Sequence, residues 1–538
     1  MAAIRLLAAR LRSVAFLLLL AAFSIEAFTV AGGATTLPPN ILFIFADDLT
    51  CQALSTFGES RHLLETPNID RLAREGMRFD RCLVTNSICG PSRATILTGK
   101  YSHKNGFYNN ANCRFDAAQP TFPKMLQEAG WQTAVIGKWH LGSDPTGFDH
   151  WQILPGQGIY YNAPMITAAG KQVERGYVTD VITDRSIEWL RQRDRNRPFL
   201  LMTQHKAPHR EWSPAIRHLG WDDDLPHPEP ATLFDDFTGR SAAVREHDMG
   251  LDRTFTPLDA KFVVPPGIDG DDLVAWTAHY EPRNEAFRAA APAGRDLVRW
   301  RYQRYMHDYL ACVKAIDESV GRLLDELDRE GVADETVVVL SSDQGFFLGE
   351  HGWFDKRWIF EESVRTPLII RWPGLTRPGS HCDRIVSLID FAPTFLALAG
   401  LPVPPDMQGR PLQPLLAEDA QATWRNSLYY HYYEFPEPHH VRPHRGVITE
   451  RHKLVHYEGD LDEWELLDRA VNPTETRSFH DDPAYADTLR ELRAELDRLR
   501  HEVDDLGPVP REAYGTAPLP EPPSAADRGD GAGRRGRR

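Results

Sequence analysis

Four short runs constrain this chain more than any other feature. Asn40-Ile-Leu-Phe-Ile-Phe is followed by Ala46-Asp47-Asp48, and Thr133-Ala-Val-Ile-Gly by Lys138-Trp-His140. Phe199-Leu-Leu-Met-Thr is followed by Gln204-His205-Lys206-Ala-Pro-His209, and Thr336-Val-Val-Val-Leu by Ser341-Ser-Asp343-Gln344. Each run is apolar at consecutive positions, so both of its faces must be covered, as in strands inside a parallel sheet. Helical patterns separate them, over 69–75, 121–130, 179–193 and 304–330. In the last, Leu310, Val313, Ile316, Val320 and Leu323 recur at helical spacing. Strand, helix, strand repetition predicts an α/β sandwich built on a large, mainly parallel sheet.

In open α/β sheets, sites lie beyond the carboxyl ends of the strands. The four runs therefore deliver Asp47, Asp48, Lys138, His140, His209, Asp343 and Gln344 to one rim. Asp47-Asp48 alone reads equally as a turn or helix cap. With Asp343 and the amide of Gln344 it makes an all-oxygen set, which suits a hard cation such as Ca²⁺ or Mg²⁺. Arg93, Lys138, His140 and His209 add donors and positive charge, a complement for a tetrahedral oxyanion, phosphate or sulfate. Cys89 lies just before Pro91, where a helix begins, and its side chain faces the free N–H groups of the first turn. A lone cysteine is ordinarily a packed apolar thiol. The flanking Gly90-Pro-Ser-Arg93 argues for chemistry instead.

The chain has 538 residues, 42% hydrophobic and 25% charged, enough for one large α/β domain with an appendage or two packed units. A net charge of -15 gives no footprint for nucleic acid. Arg5, Arg10 and Arg12 precede an apolar run from Val14, and small residues follow, so residues 1–34 read as a cleaved signal peptide. Ser24 and Glu26 interrupt the run, which argues against an anchor. Six cysteines, without CxxC pairs, make neither a disulfide scaffold nor a zinc site. The sequence Asn472-Pro-Thr is the nearest approach to a glycosylation acceptor and its proline blocks it, which favours a bacterial periplasmic or secreted location over a eukaryotic lysosomal or extracellular one.

Cys89-Gly-Pro-Ser-Arg-Ala-Thr-Ile-Leu-Thr-Gly-Lys100 resembles the long signature of the type I sulfatases, in which the cysteine is oxidised to formylglycine. Gly137-Lys-Trp-His-Leu-Gly142 and Ser342-Asp-Gln-Gly-Phe-Phe-Leu-Gly-Glu-His351 are further matching blocks, and the resemblance runs from Asn40 to Leu466. It implies an alkaline-phosphatase-like sandwich with a smaller C-terminal α+β subdomain carrying an antiparallel sheet. It implies a divalent ion, Ca²⁺ or Mg²⁺, on Asp47, Asp48, Asp343 and Gln344, with the modified Cys89 beside it. Many relatives have Asn where Gln344 stands. By the same resemblance Arg93 holds the modified side chain, Lys138, His209 and Lys356 contact sulfate oxygens, and His140 partners the formylglycine hydroxyl. A hydrated aldehyde carries two hydroxyls on one carbon: one attacks sulfur, the other then expels sulfate. A formylglycine-generating or sulfatase-maturating enzyme is the implied partner, with no stable membrane association. His205-Lys-Ala-Pro-His-Arg210 and Tyr429-Tyr-His-Tyr-Tyr-Glu434 are similar to blocks of bacterial sulfatases acting on N-acetylglucosamine-6-sulfate in glycosaminoglycan or mucin glycans. A phosphodiesterase or phosphonate monoester hydrolase on the same scaffold, a sulfatase for another sugar or an aryl sulfate, and a non-catalytic glycan binder are the competing readings.

The expected organisation is a catalytic domain over 38–420, a C-terminal subdomain over 421–507 and a disordered tail over 508–538. Within the first, 219–292 reads as an irregular insertion rich in Pro, Asp and Glu. Residues 445–457 read as two antiparallel strands, and 482–500 as an amphipathic helix capped by Asp482. Six histidines between His431 and His456 lack metal-site spacing and read as surface or sugar-contacting groups. Tyr429–Tyr433 fits a sugar-stacking surface and a sheet core equally.

Overall fold

The computed structural model of the protein describes residues 38–222, 226–436, 438–459 and 461–515. The signal-peptide reading therefore falls outside the described residues, as does the tail beyond 515. The four apolar runs form the strands Asn40–Ala46, Gln132–Lys138, Phe199–Gln204 and Thr336–Ser342. Asn40–Ala46 lies between Phe199–Gln204 and Thr336–Ser342, parallel to both, and Gln132–Lys138 runs parallel beside Phe199–Gln204. They form the middle of an 11-stranded sheet, made mixed by strands such as Arg365–Arg371, which pairs antiparallel with Thr336–Ser342.

Consecutive strand side chains point to opposite faces, and here the faces feed two cores. Ile41, Phe43, Phe45, Leu200, Met202, Val337 and Val339 enter one. Leu42, Ile44, Leu201, Val338 and Leu340 enter the other. The helices Cys89–Thr98 and Phe391–Leu398 close the first with Ala94, Ile96, Leu97, Phe391 and Phe395. Pro67–Glu75, Val178–Gln192 and Gly294–Arg329 close the second with Ile69, Leu72, Ile182, Leu190, Leu310 and Val313. This is the predicted α/β sandwich, and each buried Leu, Ile or Phe contributes about 1.5–3 kcal/mol to it.

After this sandwich, Ser427–Tyr432, His444–Thr449, His452–Tyr457 and Glu463–Asp468 form a four-stranded antiparallel sheet in sequential order. The helix Ala486–Glu502 covers one face with Leu492, Leu496 and Leu499, against Tyr429, Val447, Leu454 and Leu466. The opposite face, with Tyr430, Tyr432, Ile448, Val455 and Tyr457, joins the core of the large sheet. Tyr429–Tyr433 is thus core, buried throughout. Asp482 caps the turn before the last helix, accepting from the Ala484 N–H at 3.0 Å.

Three expectations need correction. The 219–292 insertion carries a 21-residue helix, Gly270–Ala290. Asp271 and Asp272 favour its first turn, and Trp276, Tyr280 and Asn284 bury one stripe, although Pro282 lies inside it. Second, His431, His439 and His444 are buried rather than surface groups. His431 sits between Asp505 (2.8 Å) and Glu458 (3.5 Å), and His444 among the rings of Tyr430, Tyr432 and Trp358. Third, residues 508–515 are ordered and include a short turn of helix, Arg511–Tyr514.

Candidate active site

The strand register sets the site. Phe45 pairs with Gln204 and with Ser341, and Gly137 pairs with Gln204, so Asp47, Lys138, Gln204 and Asp343 leave neighbouring strand ends together. Gly137 makes the close approach possible. Its φ is +115°, and a Cβ there would lie 1.8 Å from the Gln204 carbonyl oxygen. The helix Cys89–Thr98 points its first residue at this rim. Gly99 ends it at φ +64°, with its N–H on the Thr95 carbonyl.

Cys89 is fully buried and its Sγ donates to Asp47 Oδ1 at 3.3 Å. Gln344 Nε2 approaches the sulfur at 3.9 Å. Burial, reinforced by Asp47, pushes the thiol well above its ordinary value. As a thiol it is therefore a poor nucleophile. Arg93 stands four residues on, one turn along the same face. Its guanidinium donates to Asp343 Oδ2 (3.1 and 3.3 Å), Asp47 Oδ2 (3.1 Å), the Lys138 carbonyl (2.6 Å) and Gln204 Oε1 (3.0 Å). Every N–H pointing inward is used, which fixes the helix start against the sheet.

Carboxylate oxygens of Asp47, Asp48 and Asp343 lie within 4.8 Å of one another, and all three side chains are buried. Lys138 pairs with Asp47, and Lys356 Nζ binds both oxygens of Asp48 at 2.7 and 2.8 Å. Asp48 N–H donates to Asp343 Oδ1 at 3.0 Å, and Tyr309 donates its hydroxyl to the Asp48 carbonyl at 2.7 Å. Burial raises all three carboxyls, and the neighbours then divide them. Lys138 and Arg93 hold Asp47 well below the carboxylate range. Asp48 is pushed up to about 7, because Lys356 does not offset burial together with Asp47 and Asp343. Asp343 is pushed up to about 6 by burial and by Asp47, against Arg93. The Oε1 atom of Gln344 is buried without a hydrogen-bond partner. Gln344 Nε2 donates to Asp48, so a flip of this amide would turn its unpartnered oxygen to the carboxylates; crowded acceptors, two of them resisting ionisation, fit a hard divalent cation.

His209 Nε2 lies 3.9 Å from Asp48 Oδ2, and its Nδ1 is 2.6 Å from the Arg210 carbonyl, which places the proton on Nδ1. Burial, Lys138 and Lys356 hold the ring well below its ordinary value. His140 has φ +56°, and its Nδ1 is buried without a partner. Burial and Lys138 lower its proton affinity as well. The structure thus gathers Asp47, Asp48, Cys89, Arg93, Lys138, His209, Asp343, Gln344 and Lys356 around one point, with His140 in the field of Lys138 and Asp47.

Other participants carry no motif. Gln204 was a strand end beside His205, and Tyr309 one aromatic of a long helix; only the fold shows that they brace Arg93 and Asp48. Asp355 and Arg357 flank Lys356 with φ of +83° and +90°, a conformation rare outside glycine. Arg357 Nη1 donates to Asp355 Oδ1 at 2.5 Å, His439 Nε2 lies 3.0 Å from Asp355 Oδ2, and Arg357 Nη2 reaches Glu434 at 3.7 Å. Asp48 and His140, like Asp355 and Arg357, hold positive φ at this rim, a conformation that other loops of the chain also adopt.

Known proteins agree with this geometry. Residues 39–401 match the sulfatase family model, and residues 349–502 match that of the N-sulphoglucosamine sulphohydrolase C-terminal region. An N-acetylglucosamine-6-O-sulfatase of Bacteroides thetaiotaomicron is 46% identical over 518 residues, 92% of each protein. The solved structure of BT4656 in complex with its substrate D-glucosamine-2-N,6-O-disulfate superposes with a TM-score of 0.85 at 46% identity, over 88% of this chain and 99% of that one. A phosphonate monoester hydrolase of Agrobacterium radiobacter shares the fold, with a TM-score of 0.66 at 21% identity over 86% of this chain and 96% of that one. The helix Cys89–Thr98, the carboxylate cluster, the strand order and the relatives agree: the chain belongs to the sulfatase family.

Proposed function

We propose that this sulfatase removes the 6-O-sulfate of N-acetylglucosamine residues in sulfated glycans, using Cys89 after its conversion to formylglycine. The observation that carries the reading is the position of Cys89. It is buried at the head of a helix, 3.3 Å from a carboxylate, and ringed by Arg93, Lys138, Lys356 and His209. The 6-O-sulfate assignment is supported by the 46% identity to the Bacteroides enzyme across nearly the whole of both proteins.

Formylglycine, when hydrated, supplies an oxygen nucleophile together with a second hydroxyl on the same carbon, and a divalent cation supplies a Lewis acid that favours the ionised hydroxyl. Asp47, Asp48, Asp343 and Gln344 would hold that cation; four oxygen donors suit Ca²⁺. Lys138 and Lys356 would turn from the carboxylates to the three free oxygens of the ester sulfate, offsetting their charge as the S–O bond lengthens. Arg93 keeps residue 89 in line through its grip on Asp343, Asp47 and the Lys138 carbonyl. Asp343 accepts the proton of the attacking hydroxyl. His209 is neutral at rest; an anionic sulfate between Lys138 and Lys356 raises its proton affinity, so that it can protonate the leaving sugar oxygen. His140, with an unpartnered ring nitrogen, takes the proton of the remaining hydroxyl when sulfate departs. Export to the periplasm or beyond, and maturation by a formylglycine-generating or sulfatase-maturating enzyme, belong to the same proposal.

The test is a panel of defined sulfated mono- and oligosaccharides with matched phosphate esters. The enzyme is one whose residue 89 peptide has been weighed and found converted. Release of sulfate from 6-sulfated N-acetylglucosamine above every other member supports the reading. Turnover elsewhere but none on 6-sulfated glucosamines removes the substrate assignment, and preference for phosphate or phosphonate esters removes the sulfatase activity itself.

A further inference from the structure

Residues 107–113 pack against the first turn of the helix Cys89–Thr98, and this loop is held from an unexpected direction. Asn110 Oδ1 accepts from the Gly90 N–H at 3.0 Å, occupying an amide in the first turn of the nucleophile helix. That amide is therefore unavailable to a substrate anion. The loop packs on the helix without slack: a Cβ at residue 90 would lie 2.4 Å from Phe107 Cε1 and 2.7 Å from Asn110 Oδ1. On its other side Asn110 N–H donates to Glu434 Oε2 at 2.6 Å, and Glu434 faces Arg357 beside Lys356. Asn110 thus spans from the nucleophile helix to the polar rim.

What orders the tip of the loop lies about 400 residues away in sequence. Asn109 is fully buried, and its Nδ2 donates to the Glu512 carbonyl at 2.8 Å and the Ala513 carbonyl at 2.9 Å. Its Oδ1 accepts from the Ala111 and Asn112 N–H groups at 2.9 and 3.0 Å. Asn112 Nδ2 donates to the Gly515 carbonyl at 2.9 Å. Phe435 N–H donates to the Tyr514 carbonyl at 3.0 Å, next to Glu434. Phe107 anchors the start of the loop in the core, but the tip, Asn109-Asn-Ala-Asn112, has little apolar surface of its own to bury. Asn105 and Asn86 hold the first two residues of the loop, and the bonds to the C-terminal segment hold its tip.

We propose that residues 510–515 form a strap that sets the active-site loop, and that Asn109 and Asn110 are positioning residues through which the strap fixes the first turn carrying residue 89. The inference rests on the reading of residue 89 as the nucleophile-bearing position. Small displacements of a nucleophile cost rate more than affinity, so the strap acts on kcat.

The experiment uses the converted, full-length enzyme and its Asn109→Asp variant, which keeps the acceptor for residues 111 and 112 but sets a carboxylate against two carbonyls. The expected result is a kcat lower on the order of tenfold, on sugar and small aryl sulfates alike, with KM within about twofold. A chain ending at Gly515 keeps wild-type kinetics; a chain ending at Val509 repeats the Asn109→Asp loss, and combining the two changes adds nothing further. Unchanged kcat in a folded Asn109→Asp enzyme, or a lower melting temperature with kcat intact, overturns the strap. If the converted wild-type enzyme is inert on every sulfate ester, the nucleophile reading fails, and this inference with it.

Discussion

Two of the charge clusters buried in this protein are built on opposite plans. At the rim, three carboxylates crowd together, and Asp48 and Asp343 are pushed up to about 7 and about 6. Between the small sheet and the 219–292 segment, Arg240 meets Glu465 in a two-pronged pair at 2.8 and 3.0 Å, with both side chains at most 1% exposed. Here the remaining valences are filled one by one. Ser241 N–H and Tyr457 hydroxyl also donate to Glu465, at 2.8 and 3.1 Å, and Arg240 Nη1 donates to the Glu475 carbonyl at 2.8 Å. Burial pushes Glu465 up, but Arg240 outweighs it and the carboxyl ends below its ordinary value. The first cluster holds acceptors in excess, open to a cation and an anionic ester. The second is closed, and pins the small sheet in place. Burial alone does not separate function from structure; the unmet electrostatic demand does.

If that contrast is right, changes at the rim abolish chemistry and changes in the strut abolish stability. The largest effect belongs to Cys89→Ala, expected to lower kcat at least about 10³-fold with the fold intact, measured by sulfate release and circular dichroism. Asp343→Asn comes next, with a loss of roughly 10²–10³-fold. In wild type, Ca²⁺ should raise the melting temperature and a chelator should reverse the rise, because a ligand of the native state alone stabilises it. Asp343→Asn should erase that increment. Glu465→Gln should do the converse. Leaving Arg240 buried without its counter-charge costs about 3 kcal/mol in denaturant unfolding, while kcat stays within about twofold and the Ca²⁺ increment survives. A strut variant that lost the increment while remaining folded would break the comparison.

The chain announced the open cluster better than the closed one. Asp47, Lys138 and Asp343 stand at the ends of unmistakable parallel strands, and Cys89 and Arg93 in a long motif, so sheet topology and most of the rim were legible. Gln344 was visible too, though not that its Oε1 would lack a partner. The strut was invisible, because Arg240 and Glu465 lie 225 residues apart and neither is marked by periodicity. The same holds for Tyr309 under Asp48, for Asn109 under the C-terminal segment, and for the histidines of the small sheet, whose polarity suggested surface until His431 was seen between two carboxylates. The helix Gly270–Ala290 was hidden by Pro282 and by acidic residues that belong to its first turn. Local pattern reports local structure. Pairings across hundreds of residues need the fold.

The last effect, confined to acid pH, concerns a third cluster, of the closed kind. Glu458 lies between His431 and Arg445; burial raises it, but those partners outweigh burial and hold it at about 2 against an ordinary 4.5. A carboxyl with a depressed folded value stabilises the native state fully above its unfolded value, and loses that contribution as pH falls through the folded one. Between pH 4.5 and about 2 this group alone should therefore surrender about 3 kcal/mol. Asp505, lowered as well by His431 against burial, adds in the same direction. Melting temperature should fall steadily from pH 5 toward pH 2.5. Arg445→Gln should start lower at pH 7 and fall less steeply, since part of what acid removes has already gone. An equal slope in both proteins would mean that Glu458 is not held down by Arg445, and that this cluster is not closed in the sense of the Arg240 strut.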